Sequence, residues 1–158
     1  DLGIAEPPFD KKDSVVRRYR FAAVAALKAN HPLAVHEVLT PPRLDGAPML
    51  GLLPAHGTTP AIAQAFAAQG ADLRIVVRCE FFATALNLAA EGAGIALVDP
   101  ISAACHSAPD IVIRPFTPRI AYEVAVLKPA QSGLSRLAEA FAGEIDRHVR
   151  PYLMEHGS

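Results

Sequence analysis

Met49-Leu50-Gly51-Leu52-Leu53, Leu73-Arg74-Ile75-Val76-Val77-Arg78-Cys79 and Ile95-Ala96-Leu97-Val98 are three apolar runs, and what separates them decides the fold. The first is a short run of the buried-strand type that stops at Pro54. Ala55-His56-Gly57-Thr58-Thr59-Pro60 follows, where a threonine before a proline reads as N-cap and first helical residue. Ile62, Ala65, Phe66 and Gln69 then recur at helical spacing until Gly70 ends the helix. After the second run, residues 81–90 are alanine-rich and helical, and Gly92 and Gly94 precede the third run. This β-α-β-α-β order requires crossover helices, because parallel strands cannot be joined by tight hairpins. It predicts one sheet containing 49–53, 73–79 and 95–98, the first two parallel, covered by helices 60–69 and 81–90.

Outward from this centre the signals are shorter. Leu2 to Ala5 is a strand that ends at Glu6-Pro7-Pro8, since two prolines cannot continue a ladder. Residues 15–28, rich in valine, alanine and aromatics, form one long extended segment closed by the turn Asn30-His31-Pro32, a connection between lobes. Beyond Asp99-Pro100, strands are expected over 111–113 and 120–127, around Pro115 and Pro118. Leu134, Leu137, Ala138, Phe141, Ile145 and Val149 place an apolar stripe on a final helix that should pack on a sheet.

Composition restricts the function classes. With 51% hydrophobic and 20% charged residues in 158, the chain has the make-up of a globular protein. Fifteen basic against sixteen acidic residues leave no surplus to neutralise a phosphate backbone, which argues against nucleic-acid binding by this chain. No run spans a bilayer and the start lacks a signal-peptide layout, so a soluble cytoplasmic protein without membrane partners is expected. Cys79 and Cys105 lack the spacing of a zinc ribbon, and the six histidines lack HExxH spacing. Neither GxGxxG nor a Walker A motif occurs, and Gly92-Ala93-Gly94 falls between a helix and a strand, the wrong side for cradling phosphate. No metal or cofactor is expected, and no enzyme: Cys79 ends an apolar strand as an ordinary core thiol would, and Cys105-His106 follow Ser102-Ala103-Ala104 in a short helix or turn.

In an open parallel sheet, ligands bind beyond the carboxyl ends of the strands. Two loops lie there. Residues 54–59 offer backbone N–H groups, the hydroxyls of Thr58 and Thr59 and a helix N-terminus, suited to a carboxylate; either threonine serves equally well as a plain helix cap. Arg78-Cys79-Glu80-Phe81-Phe82 opens at the mouth of the next strand. Glu80 could accept from an amine and Phe81 or Phe82 could wall an apolar group; an acidic first helical turn and core phenylalanines explain the same residues without a ligand. The residues alone give a small-molecule-binding α/β domain.

Three segments carry a family resemblance over essentially the whole chain. Asp1-Leu2-Gly3-Ile4-Ala5, Asn30-His31-Pro32-Leu33-Ala34 and Glu91-Gly92-Ala93-Gly94-Ile95-Ala96-Leu97-Val98 resemble, in order, a first-lobe strand, an HPLA segment and the G-x-G-I-A-x-(V/L)-P region of LysR-type transcriptional regulators. Residues 135–141 resemble the start of the family's terminal helix; Asp99 before Pro100 departs from the pattern. The resemblance implies a type 2 periplasmic-binding-protein-like fold of two α/β lobes with an effector between them. Residues 22–100 would form the second lobe, and 1–21 with 101–158 an incomplete first lobe. It carries effector contacts onto His56, Thr58, Thr59 and Glu80, to which the reading of the residues themselves adds Phe81. Val98-Asp99-Pro100-Ile101-Ser102-Ala103 stands where the amino-acid-responsive branch has VNP-(L/F)-T-A-like text, which implies an amino-acid or opine-like effector. The family's helix-turn-helix and the opening elements of its first lobe would precede Asp1, so DNA would be bound only through that missing region, and a second copy would cover the open sheet edge. A periplasmic solute-binding protein shares the fold and is the alternative.

Overall fold

A computed structural model describes residues 2–131 and 133–154. Strands β1 (Gly3–Ala5), β2 (Asp13–Ala22), β3 (Val24–Lys28), β4 (Met49–Leu52), β5 (Ile75–Cys79), β6 (Ile95–Val98), β7 (Ile111–Pro115) and β8 (Ala121–Pro129) alternate with helices α1 (Thr59–Ala68), α2 (Phe82–Ala90), α3 (Pro100–Cys105) and α4 (Arg136–Val149). The chain divides into two units, residues 22–120 and residues 1–21 with 121–158.

The larger unit holds a five-stranded sheet in the order β5-β4-β6-β3-β7. β4 pairs in parallel with both β5 and β6, as the rhythm of the three apolar runs requires, while β3 runs antiparallel to β6 and β7. Both faces are covered, so the strands are apolar without alternation. Met49, Ile95, Leu97 and Leu27 pack with Phe66 of α1 on one face. Leu50, Leu52, Ala96 and Val98 pack with Leu86 and Ala89 of α2 on the other. Gly94 is required where the α2–β6 turn meets the sheet, because a Cβ there would lie 2.7 Å from the Pro48 carbonyl oxygen. That oxygen accepts from the Ile95 N–H at 2.9 Å. Asp99, which departs from the family pattern, is a buried N-cap: its carboxylate accepts from the backbone N–H groups of Ile101 and Ser102, each at 2.9 Å.

Residues 101–120, expected with the first lobe, lie in this larger unit. The reason is strand pairing: β7 runs along β3 from Val24↔Pro115 to Lys28↔Ile111, and the Arg114 guanidinium donates to the carbonyls of Ala34 and His36. The segment 15–28 is extended as expected, in two strands. It breaks at Ala23, whose N–H donates to Ile120 at 2.8 Å, so that β2 and β3 serve different sheets.

The smaller unit contains the three-stranded sheet β1-β8-β2 with β1 antiparallel to β8. Phe21 and Tyr122 meet in its core at 6.3 Å between ring centroids. The stripe expected on the last helix holds at Ala138, which is buried, and at the half-buried Ile145 and Val149, but α4 also buries Ala142 and leaves Leu137 80% and Phe141 54% exposed beside a groove that Leu2 also lines. Neighbouring helix positions are 100° apart, and the small alanines let the backbone approach, which turns the larger side chains aside.

Candidate functional site

The parallel pairing of β4 and β5 brings the two loops singled out in the sequence side by side. Leu52 is in register with Cys79, and the Leu53 N–H donates to the Cys79 carbonyl at 3.0 Å. One residue further on the strands stop, at Pro54 and Glu80, and both turns open at the same end of the sheet.

The first loop is held by its own hydrogen bonds. The His56 N–H donates to Leu53 O at 2.9 Å, the Thr59 N–H to His56 O at 3.0 Å, and the Thr59 hydroxyl to Leu53 O at 3.1 Å. Thr58 is 2% exposed, and its oxygen lies 2.9 Å from His56 Nδ1. Helix α1 begins at Thr59, one residue earlier than expected, and neither threonine hydroxyl caps it. The expectation that either hydroxyl caps the helix gives way to bonds within the loop.

The second loop is exposed. Helix α2 begins at Phe82, so Glu80 precedes the first turn, and an acidic first turn no longer accounts for it. Phe81 is 62% exposed and therefore outside the core, whereas Phe82 packs partly against the α2 face of the sheet. The His56 ring stands edge-on to Phe82 at 5.0 Å and 79°, which joins the two loops. Arg78 donates to Leu52 O at 3.4 Å and Leu53 is exposed at the same strand end. Their nearness follows from the β4–β5 register, which no spacing within either segment reveals. The site thus combines a helix start, an imidazole, a carboxylate and exposed apolar surface, enough to orient a small polar molecule.

Cys79 is a buried free cysteine, and burial pushes its thiol above the ordinary range. Cys105 is exposed at the end of α3. Among the described residues no cluster of His, Cys, Asp and Glu could hold a metal ion, and no helix is long and apolar enough to cross a membrane.

Comparison with known proteins gives the family and the fold. The family model described as "LysR substrate binding domain" matches residues 1–150. The transcriptional activator protein LysR of Escherichia coli (strain K12) is 29% identical over 122 residues, covering 77% of this chain and 39% of that protein. The regulatory protein NocR of Agrobacterium tumefaciens (strain T37) is 26% identical over 121 residues, covering 77% of this chain and 40% of its own length. The chain therefore spans about two-fifths of these curated relatives. Among solved structures, the effector-binding domain of QuiR in complex with shikimate aligns with a TM-score of 0.71 at 17% identity, over 98% of this chain and 74% of that one. HinK, a LysR family transcriptional regulator from Pseudomonas aeruginosa, aligns with a TM-score of 0.74 at 16% identity, over 94% of this chain and 52% of that one. At such identities the structures establish the α/β fold of LysR effector-binding domains, and with the family model matched over residues 1–150 the chain belongs to the LysR substrate-binding-domain family.

Proposed function

We propose that the chain is the effector-sensing part of a cytoplasmic LysR-type transcriptional regulator that works as a homo-oligomer and binds DNA through a helix-turn-helix outside these residues. A small molecule at His56, Thr58, Thr59, Glu80 and Phe81 modulates transcription. The observation that carries the reading is the side-by-side opening of the β4–α1 and β5–α2 loops in a domain of this family. Relatives named as a transcriptional activator and as regulatory proteins favour it over a periplasmic solute-binding protein. We assign the chain no catalytic step, since the family is one of transcriptional regulators.

The effector we propose is amino-acid-like. The start of α1 favours a carboxylate by roughly 0.3 to 1 kcal/mol through the helix dipole. Glu80 takes a cationic group, a charge-assisted hydrogen bond contributing about 1.5 to 3 kcal/mol, and Phe81 flanks the ligand's apolar part. A relative named as the octopine catabolism/uptake operon regulatory protein OccR, from Rhizobium meliloti, supports an effector of this kind. Calorimetric titration of L-arginine and neutral amino acids into the protein and its Glu80→Gln variant tests the reading. The variant should bind a cationic amino acid at least tenfold more weakly. Equal binding to both removes Glu80 from the site, and failure of every zwitterion to bind rejects an amino-acid-like effector.

A further inference from the structure

We propose that Arg78 anchors the effector's carboxylate and is a specificity-determining residue, separating carboxylate-bearing effectors from their decarboxylated analogues. The proposal rests on the reading that the β4–α1 and β5–α2 loops receive the effector. β5 is the outer strand of its sheet, so a side chain on it can turn outward into solvent or inward over β4. Arg78 turns inward: its Nη1 lies 3.4 Å from the Leu52 carbonyl oxygen, at the carboxyl end of β4. Gly51, its register partner on β4, brings no side chain of its own there. The next carbonyl, that of Leu53, accepts from the Thr59 hydroxyl at 3.1 Å, and Thr59 is the first residue of α1. The guanidinium and the helix start are thus tied to consecutive residues of the chain, whose Cα atoms are about 3.8 Å apart.

The bond to Leu52 leaves most of the guanidinium's capacity unused. Arginine carries five N–H donors in a planar fork, and a single contact at 3.4 Å is a long one. Among the described residues Arg78 makes no ion pair, and neither does Glu80, although the two stand two positions apart at one strand end. An exposed basic residue on an outer strand also guards against edge-to-edge pairing. That role calls for a side chain turned out from the edge, and Arg78 is turned toward β4. A carboxylate accepts two parallel N–H donors from such a fork, which gives direction as well as charge. The two charges that leave each other unpaired match the two ends of a zwitterion: the fork takes the carboxylate and Glu80 the cationic group.

Calorimetric titration of two amino acids and their decarboxylated analogues, L-arginine with agmatine and L-leucine with isopentylamine, into the protein, Arg78→Gln and Arg74→Gln tests the assignment. Arg74 precedes β5, at the opposite end of the strand, and its replacement changes the net charge equally. The protein should prefer the amino acid to its amine, and Arg78→Gln should lose at least tenfold in affinity for the amino acid and none for the amine. Arg74→Gln should bind both as the parent does. Unchanged amino-acid binding by Arg78→Gln, an equal loss in Arg74→Gln, or an equal loss for the amine overturns the assignment. If no amino acid binds the parent, the amino-acid-like reading fails, and butyrate, a carboxylate without an amine, decides Arg78 separately. It should shift the Leu53 and Thr59 amides in 1H–15N spectra of the protein and leave those of Arg78→Gln in place; equal shifts in both, or none in either, overturn the anchor.

Discussion

Tyr19 donates its hydroxyl to Oδ1 of Asp146 at 2.5 Å, and Arg17 meets the other carboxylate oxygen at 3.2 Å, so one acidic side chain ties the second half of α4 to β2. The Tyr19 hydroxyl bond, followed by Arg17, holds the Asp146 carboxyl below the usual carboxylate range against the opposing effect of burial. Burial first, and then the bond to Asp146, push the Tyr19 phenol above its own range.

These shifts fix a pH dependence. A carboxylate with a depressed native pKa stabilises the fold above its unfolded value of about 3.9, and that stabilisation is lost as pH falls through the native value. Tyr19→Phe should cost about 1 kcal/mol at pH 7, toward the low end for a bond to a charged acceptor because the Asp146 side chain is 34% exposed. Urea midpoints check this: the parent should lose more stability than Tyr19→Phe between pH 7 and pH 3, and identical losses would show that the pair contributes nothing.

His31 gives a second, separate window. Its Nδ1 accepts from the Leu33 N–H at 3.1 Å at the start of a short 3-10 turn, and burial lowers its pKa. A histidine whose native pKa is depressed contributes stability above its unfolded value of about 6.5 and loses it as pH falls below that. NMR titration should find the His31 midpoint below the ordinary histidine value of about 6.5, and His31→Asn, which keeps a capping acceptor, should flatten the loss of stability between pH 7 and pH 5.

Gly94 should tolerate nothing larger than hydrogen. Alanine there would press its Cβ onto a carbonyl already committed to the Ile95 N–H, and neither partner is a flexible side chain. Gly94→Ala should cost about 1 to 3 kcal/mol, the usual range for overpacking, whereas Gly57→Ala, with open space around its Cβ position, should cost well under 1 kcal/mol. Chemical denaturation of both variants decides it; similar costs would mean that the turn relaxes freely.

The sequence made the parallel core readable because apolar runs, helix repeats and glycines alternate over residues 49–98 within single windows. The strand Ile111–Pro115 was visible as an element, but which sheet edge it joins depends on pairing with β3 some eighty residues away, and hence its unit was misplaced. The site residues divide similarly. Glu80 and Phe81 are reachable from the end of an apolar strand, while the inward turn of Thr58 depends on where the His56 ring is held, and the Thr59 hydroxyl finds an acceptor six residues back. Such bonds belong to the loop's fold and have no signature in residue type.

The helix face buried by α4 is the sharpest case, and it yields the last prediction. Hydrophobicity places Leu137 and Phe141 against the sheet together with Ala138, yet the structure buries Ala138 and Ala142 and leaves the two larger side chains exposed. The two arrangements have opposite mutational signatures. If the alanines face the sheet at close approach, Ala142→Leu must force extra methylenes into a filled interface at about 1 to 3 kcal/mol, while Leu137→Ser at an exposed position changes stability by no more than about 0.5 kcal/mol. If the larger side chains were the buried ones, Leu137→Ser would create a cavity and a buried hydroxyl at a cost of several kcal/mol, and Ala142→Leu would be nearly silent. Thermal and urea unfolding of the two variants, read against Tyr19→Phe to confirm that α4 remains docked, separates these outcomes, and a costly Leu137→Ser with a silent Ala142→Leu would reverse the assignment of the helix face.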